Sequence, residues 1–397
     1  MKYVIIGNGV AGITAAENIR KLDPQGEIKI FTDEKYPFYS RIRLIDFLSR
    51  KMKEDSLIMK GEKWYEENRI ELISGVKVTD VDNTAKIVVT DSGSKIEYEK
   101  LLLATGGVSF IPPLAGADKE GVFSLRTLDD AKTINSYSEK HKRVVIIGGG
   151  VLGLEAGYNL IQAGNSVEVV EFFPRLLPRQ MDERGASVLQ NQLEKFGFGF
   201  YLGAKTKEIT GGGKVDGILL EDGRRIEADM VIISAGVRAA DTIAKKVGLE
   251  IGKGVVVNDR METSSEGIYA AGDVIEHSGV FYGLWPASMA QGETAGKNMA
   301  GGDAIYKGTI IANSLKVAGV KLFSAGEIDV DGKFEDITFS DKEAHVYKKL
   351  VIKESRIIGV ILYGDVAPRM KVVKAMEEGK DISGIRDALA NWDITGL

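Results

Sequence analysis

The sequence predicts an α/β chain built on two parallel-sheet units, and three observations predict it. A β-branched strand, a glycine turn, a helical pattern and a second strand follow one another at the N-terminus, and the same order returns from Val144. The 47 glycines are about 12% of the chain against a usual ~7%, which points to loops where backbone must come close to something else. The length of 397 residues, at about 150 per domain, allows two to three domains.

The elements follow in order. Tyr3 to Ile6 is a continuous apolar run of the kind a strand buried on both faces requires; a helical period covers Ala11 to Leu22, and Ile28 to Phe31 is the second strand. Val144 to Ile147, Leu152 to Ala163 and Val167 to Val170 repeat this βαβ unit, with Gly148 standing 141 residues after Gly7. Between the copies, Lys86 to Val89 and Lys95 to Tyr98 flank the turn Asp91-Ser92-Gly93, and Leu101 to Leu103 runs into Ala104-Thr105-Gly106. After the second copy, Ile218 to Glu221, Asp222-Gly223 and Met230 to Ile233 running into Ala235-Gly236 repeat that arrangement, so the duplication exceeds the glycine turns. Pro112-Pro113 marks a boundary. A hairpin at Tyr347 to Ile352 and Ile357 to Leu362, and a helix near Lys371 to Glu378, complete a smaller C-terminal region.

Composition excludes several kinds of function. Lys plus Arg number 52 against 57 Asp plus Glu, so the net charge of -5 lacks the basic excess that nucleic acid demands. With no cysteine there is no disulfide, thiolate metal site or thiol nucleophile, and the absence fits a cytoplasmic chain. The three histidines, His141, His277 and His345, share no ligand spacing, so no metal is expected. The apolar run from Val144 to Leu154 is too short for a bilayer, which needs ~20 residues, and no export signal opens the chain.

Two motifs carry chemistry. Gly7-Asn8-Gly9-Val10-Ala11-Gly12 is a GxGxxG that leaves a strand and opens a helix, which suits a pyrophosphate lying on helix amides. Asp33 and Glu34 end the next strand, where a carboxylate receives a ribose hydroxyl. Gly148-Gly149-Gly150-Val151-Leu152-Gly153 repeats the pattern, and Glu171 takes the acidic position, favouring a 2′-hydroxyl over a 2′-phosphate. Arg175 is either a solvated loop arginine or a phosphate ligand. A third feature, Ile268-Tyr269-Ala270-Ala271-Gly272-Asp273, places a carboxylate at the carboxyl end of a buried strand, ahead of a helix from about Ala287.

This order resembles the FAD-dependent pyridine nucleotide disulfide oxidoreductases over essentially the whole chain. Tyr36-Pro37-Phe38-Tyr39-Ser40-Arg41-Ile42-Arg43-Leu44, Leu125-Arg126-Thr127-Leu128-Asp129-Asp130-Ala131 and Gly283-Leu284-Trp285-Pro286-Ala287-Ser288 are similar to the branch of NADH:rubredoxin oxidoreductases and nitrite reductase flavin domains. The resemblance implies two Rossmann-like dinucleotide-binding domains and a small α+β C-terminal domain. Residues 1–118 and 239–308 would form the FAD domain, 119–238 the NAD domain and 309–397 the last.

It further implies that Gly7, Gly9, Ala11, Gly12, Asp33, Glu34, Arg41, Ala104, Thr105, Gly106, Gly272, Asp273 and Trp285 serve FAD. Gly148, Gly150, Val151, Leu152, Gly153, Glu171, Ala235 and Gly236 would serve NADH. Glu155, taken as the third residue of a helix from Gly153, and Arg41 are the expected catalytic residues. Asp46 stands where related ferredoxin reductases carry a lysine that pairs with this glutamate. Relatives that act on disulfides or peroxide, or reduce oxygen fully to water, place a redox cysteine near Tyr39 to Leu44, and none exists here.

The implied activity is NADH oxidation through flavin to a small carrier such as rubredoxin or ferredoxin. Alternatives are a peroxide-forming NADH oxidase, an NADH-sensing binding module, and the flavin subunit of a larger complex. Nitrite reduction unaided is not expected, because the Cys-rich iron-binding regions of nitrite reductases are missing from these residues. The run Arg41, Arg43, Arg50, Lys51 and Lys53 offers a basic face for an acidic carrier.

Overall fold

The structure, a computed structural model, describes residues 1–317, 319–341 and 343–397. The chain forms two compact units, Met1–Arg43 with Lys53–Phe110 and Val237–Thr309, and Leu44–Met52 with Ile111–Gly236 and Ile310–Leu397.

In the first unit a five-stranded sheet runs in the order Ile268–Ala270, Lys100–Leu103, Lys2–Ile6, Glu27–Thr32, Ile70–Ser74, and every pairing is parallel. Parallel strands need crossovers that cover both sheet faces, which is why Val4, Ile5, Leu101 and Leu102 are all buried. The second unit repeats this order with Val122–Phe123, Met230–Ile233, Arg143–Ile147, Ser166–Glu171 and Phe198–Leu202, again all parallel. Each unit also carries a three-stranded antiparallel meander, Val78–Asp82, Ile87–Thr90 and Lys95–Glu97 in one, Thr206–Thr210, Gly217–Leu220 and Arg225–Glu227 in the other. Both meanders slip register at the same place, between Val78 and Asp80 and between Thr206 and Glu208. The duplication therefore includes an irregularity that no periodicity displays.

The helices Val10–Leu22 and Trp285–Met299 pack closely in the first unit: a Cβ on Gly292 or Gly296 would run into the backbone of Ala11 or Ala15. In the second unit, Leu128–Ser138 begins with a capping box in which Asp130 accepts from the Thr127 amide at 2.8 Å and Thr127 Oγ1 accepts from the Asp130 amide at 3.1 Å. Part of the Leu125-to-Ala131 motif is thus a helix start.

Ala312–Val317, Val320–Gly326, Arg356–Tyr363, Val346–Lys353 and Glu335–Asp341 form an antiparallel sheet in that order. The expected hairpin is its centre, closed by Glu354 and Ser355 at φ 48 and 56, the paired positive values of a two-residue turn.

One unit boundary falls after Phe110, and Leu44–Met52 groups with the second unit. Hydrogen bonds explain the segment: Asn135 Nδ2 donates to the Phe47 carbonyl at 2.9 Å, and Arg50 donates to the Asn135 carbonyl at 3.1 Å and to Ser138 Oγ at 2.6 Å. The C-terminal sheet also belongs to this unit. Buried Lys349 lies 3.5 Å from Asp182 and 3.6 Å from Asp336, and the Tyr347 hydroxyl donates to Asp182. Burial and that carboxylate push the Tyr347 phenol far above its ordinary pKa. Asp182 in turn accepts from the Gly185 amide at 2.9 Å and so caps Glu183–Lys195.

Candidate dinucleotide sites

Each unit holds one glycine loop, and the two loops coincide in detail. Gly7 and Gly148 both sit at φ 119, where side chains are strained, and a Cβ on either would strike a carbonyl oxygen, that of Ala104 or of Ser234. Gly12 and Gly153 would press a Cβ into the carbonyl of their own first glycine. The middle glycines differ. Gly9 at φ -87 and Gly150 at φ -79 have backbone that any residue adopts, and a Cβ there meets nothing within 4 Å. The fold makes no demand for glycine at these two places; close approach of a bound group would.

The helix starts agree. Val10–Leu22 and Val151–Gln162 have no side-chain cap and no acidic residue in the first turn, whereas Leu128–Ser138 and Glu183–Lys195 are capped. Uncapped amides with the positive end of the helix dipole suit a pyrophosphate. Both cradles therefore fit a dinucleotide.

The acidic residues diverge. Glu171 is buried, accepting from the Gly149 amide at 2.7 Å and from the Phe173 amide at 2.8 Å, so it pins the glycine loop to the strand end. In the first unit Asp33 is exposed, and Glu34 is the half-buried carboxylate. Glu34 accepts from the Tyr39 hydroxyl at 2.5 Å and from Arg41. Burial opposes the Arg41 charge, but Tyr39, Glu34 and Asp273 outweigh it and hold the guanidinium above its ordinary pKa.

The remaining expected residues fall as follows. Ala11 is buried, with Gly272 and Gly292 packed against it, so its role is the helix contact. Ala104 continues the sheet by donating to the Ile6 carbonyl at 2.8 Å. Thr105 Oγ1 donates to the Ala240 carbonyl at 2.9 Å, and the Ala240 amide donates to the Gly106 carbonyl at 3.0 Å. Gly272, at φ 90, donates its amide to Gln291 Oε1 at 3.0 Å, and Ser288 Oγ donates to Asp273 at 3.3 Å. Trp285 is the first residue of its helix, which starts two residues before the expected Ala287, and stacks on Phe38 at 5.9 Å. Ala235 and Gly236 are exposed, and Val151 and Leu152 are half-buried on the first helical turn.

Two expectations change. Glu155 is the fifth residue of its helix, because the helix begins at Val151 and not at Gly153. Arg175 is not a freely solvated arginine; it is half-buried and donates to the carbonyls of Met181 at 3.2 Å and Pro178 at 3.0 Å. Within the basic run, Arg41 is held by Glu34, Arg43 donates to the Ser56 carbonyl at 2.8 Å and Arg50 to Asn135 and Ser138, while Lys51 and Lys53 are exposed. Asp46 is exposed.

Sequence reading missed Tyr65 and Gln291. The buried Tyr65 hydroxyl accepts from the Phe38 amide at 3.0 Å and donates to Asn8 Oδ1 at 2.9 Å, tying the aromatic loop to the first glycine loop. No spacing links residues so far apart in the chain. Among the described residues no cluster of three or more acidic or histidine side chains can hold a metal. Among the described residues no helix is long and apolar enough to cross a membrane.

Residues 1–292 match the family described as Pyridine nucleotide-disulphide oxidoreductase. The chain belongs to that family. It is an oxidoreductase whose cofactors are FAD and NADH. Residues 312–380 match the Rubredoxin NAD+ reductase C-terminal domain. The chain is 37% identical to a nitrite reductase [NAD(P)H] of Bacillus subtilis over 384 residues, 96% of this chain and 48% of the other. It thus spans about half the length of that relative. With the NADH-rubredoxin oxidoreductase of Clostridium acetobutylicum it shares 32% identity over 392 residues, 98% of both chains. The crystal structure of the NADH:rubredoxin oxidoreductase from that organism superimposes with a TM-score of 0.86 at 32% identity, covering 98% of this chain and 99% of the other.

Proposed function

We propose that the chain oxidises NADH through bound FAD and passes the electrons one at a time to a small iron protein, rubredoxin first and ferredoxin second. The observation that carries this reading is the lack of any cysteine in all 397 residues of a member of a disulphide-oxidoreductase family. Without a thiol to receive them, electrons must leave for an acceptor outside the chain. Similarity over 98% of an NADH-rubredoxin oxidoreductase supports the choice of acceptor.

FAD supplies a ring that takes two electrons as hydride and releases them singly. In the first unit, the Gly7–Gly12 loop and the amides after Gly9 bind the anionic pyrophosphate, and Glu34 takes a ribose hydroxyl. Arg41, held by Glu34, adds fixed positive charge for the anionic cofactor. Asp273 and the first turn from Trp285 orient the rest. In the second unit, the Gly148–Gly153 loop holds the NADH pyrophosphate and Glu171 its ribose, with NADH preferred to NADPH. Glu155 positions the nicotinamide end.

The test is anaerobic reduction with NADH followed by rapid mixing with rubredoxin. Reoxidation far faster than by dissolved oxygen is expected. A rate no faster than with oxygen overturns the proposal, and peroxide formed mole for mole with NADH would make the chain an NADH oxidase. Similarity over 397 residues, at 35% identity, to the assimilatory nitrate reductase electron transfer subunit of Bacillus subtilis supports a second reading, a flavin subunit of a larger complex; co-purification with an iron–sulfur protein would establish it.

A further inference from the structure

The strand Ser166–Glu171 ends in two large apolar side chains that the fold leaves outside. Phe172 is 58% exposed and Phe173 46%. Single exposed aromatics are ordinary; a pair side by side at the rim of a nucleotide cradle is not. Their rings stand edge to face with centroids 5.3 Å apart at 85°, and Lys205 Nζ lies 5.4 Å from the Phe172 centroid. The backbone beneath is firmly held. The Phe173 amide donates to Glu171, and its carbonyl accepts from the Gly203 amide at 2.9 Å. The other Glu171 oxygen grips Gly149 in the glycine loop. The carboxylate that ends the ribose-binding strand thus fixes both the loop and the aromatic pair.

We propose that Phe172 is the platform on which the adenine of the dinucleotide stacks, with Phe173 as its brace, a deepening that rests on the NADH reading above. A purine has a flat π face whatever its substituents, and an aromatic ring one residue beyond the ribose carboxylate is placed to cover it. Phe172 is the platform because its ring is the more exposed, while the main chain of Phe173 is pinned on both sides. Phe172 remains 58% exposed even with Lys205 beside its ring, so burial under adenine is an apolar gain the fold itself leaves unrealised.

The experiment measures binding of NADH, ADP-ribose and reduced nicotinamide mononucleotide to the FAD-loaded protein by calorimetry, for wild type, Phe172→Ala and Phe172→Tyr. Expected is about a tenfold loss of affinity for NADH and ADP-ribose in Phe172→Ala, recovery in Phe172→Tyr, and unchanged binding of the mononucleotide, which has no adenine. Wild-type affinity for ADP-ribose in Phe172→Ala overturns the platform, as does an equal loss for the mononucleotide. Wild-type protein that binds neither NADH nor ADP-ribose would instead overturn the NADH reading itself.

Discussion

The two glycine loops have the same backbone and different anchors. Gly7 and Gly148 share one φ and one kind of obstruction, and Gly9 and Gly150 share one empty space. The second position separates them. Asn8 reaches out to Tyr65, whereas a Cβ on Gly149 would stand 3.0 Å from Leu176 Cδ2 and 3.3 Å from Glu171. The acids separate them too, since Glu171 holds its own loop and Glu34 holds an arginine of the aromatic segment. A pyrophosphate cradle is thus a backbone object that can be copied whole. What distinguishes its two occupants lies in the side chains around it.

The hardest way to break the likeness is at the first glycine. Gly7→Ala and Gly148→Ala should each cost at least about 3 kcal/mol, because strained φ adds to collision with a carbonyl one residue past the end of a sheet strand. Denaturant midpoints and flavin content would show it, and a mild effect in one loop alone would mean that the likeness is superficial.

The acids should break it unequally. Glu171→Ala leaves two main-chain amides without an acceptor, at about 1–3 kcal/mol. Glu34→Ala removes the ion pair of an arginine that is a third exposed and one acceptor of the Tyr39 hydroxyl, at about 0.5–1.5 kcal/mol. Equal losses in urea unfolding would contradict the contrast drawn here.

The smallest effect on stability, within about 0.5 kcal/mol, is expected at the middle glycines, because alanine tolerates both backbones and meets nothing. Yet Gly9→Ala should lose flavin on gel filtration, and Gly150→Ala should bind NADH at least tenfold more weakly. Retention of both ligands would mean that the empty space serves neither.

Much of this was legible because it is local. Strand, glycine turn and helix are written in consecutive residues, so Tyr3 to Leu22 and Val144 to Ala163 read correctly to within a residue or two, and the hairpin at Tyr347 to Leu362 likewise. What did not read is held by distant partners. Leu44–Met52 follows Asn135 into the second unit, and the C-terminal domain, itself legible, is tied by Lys349 and Tyr347 to Asp182, a contact no spacing displays. Glu155 was misplaced within its helix because its place was counted from Gly153, although the same helical period reads from Leu152 and the helix begins at Val151.

The helices Val10–Leu22 and Trp285–Met299 meet where a single methyl group would not fit. Two rods joined that tightly slide and tilt as one body. A load applied at the tip of the first, where Gly9 opens the cradle, is borne at the tip of the second, where Trp285 begins its turn, so amide motion at both tips should quieten together when a cofactor settles on either.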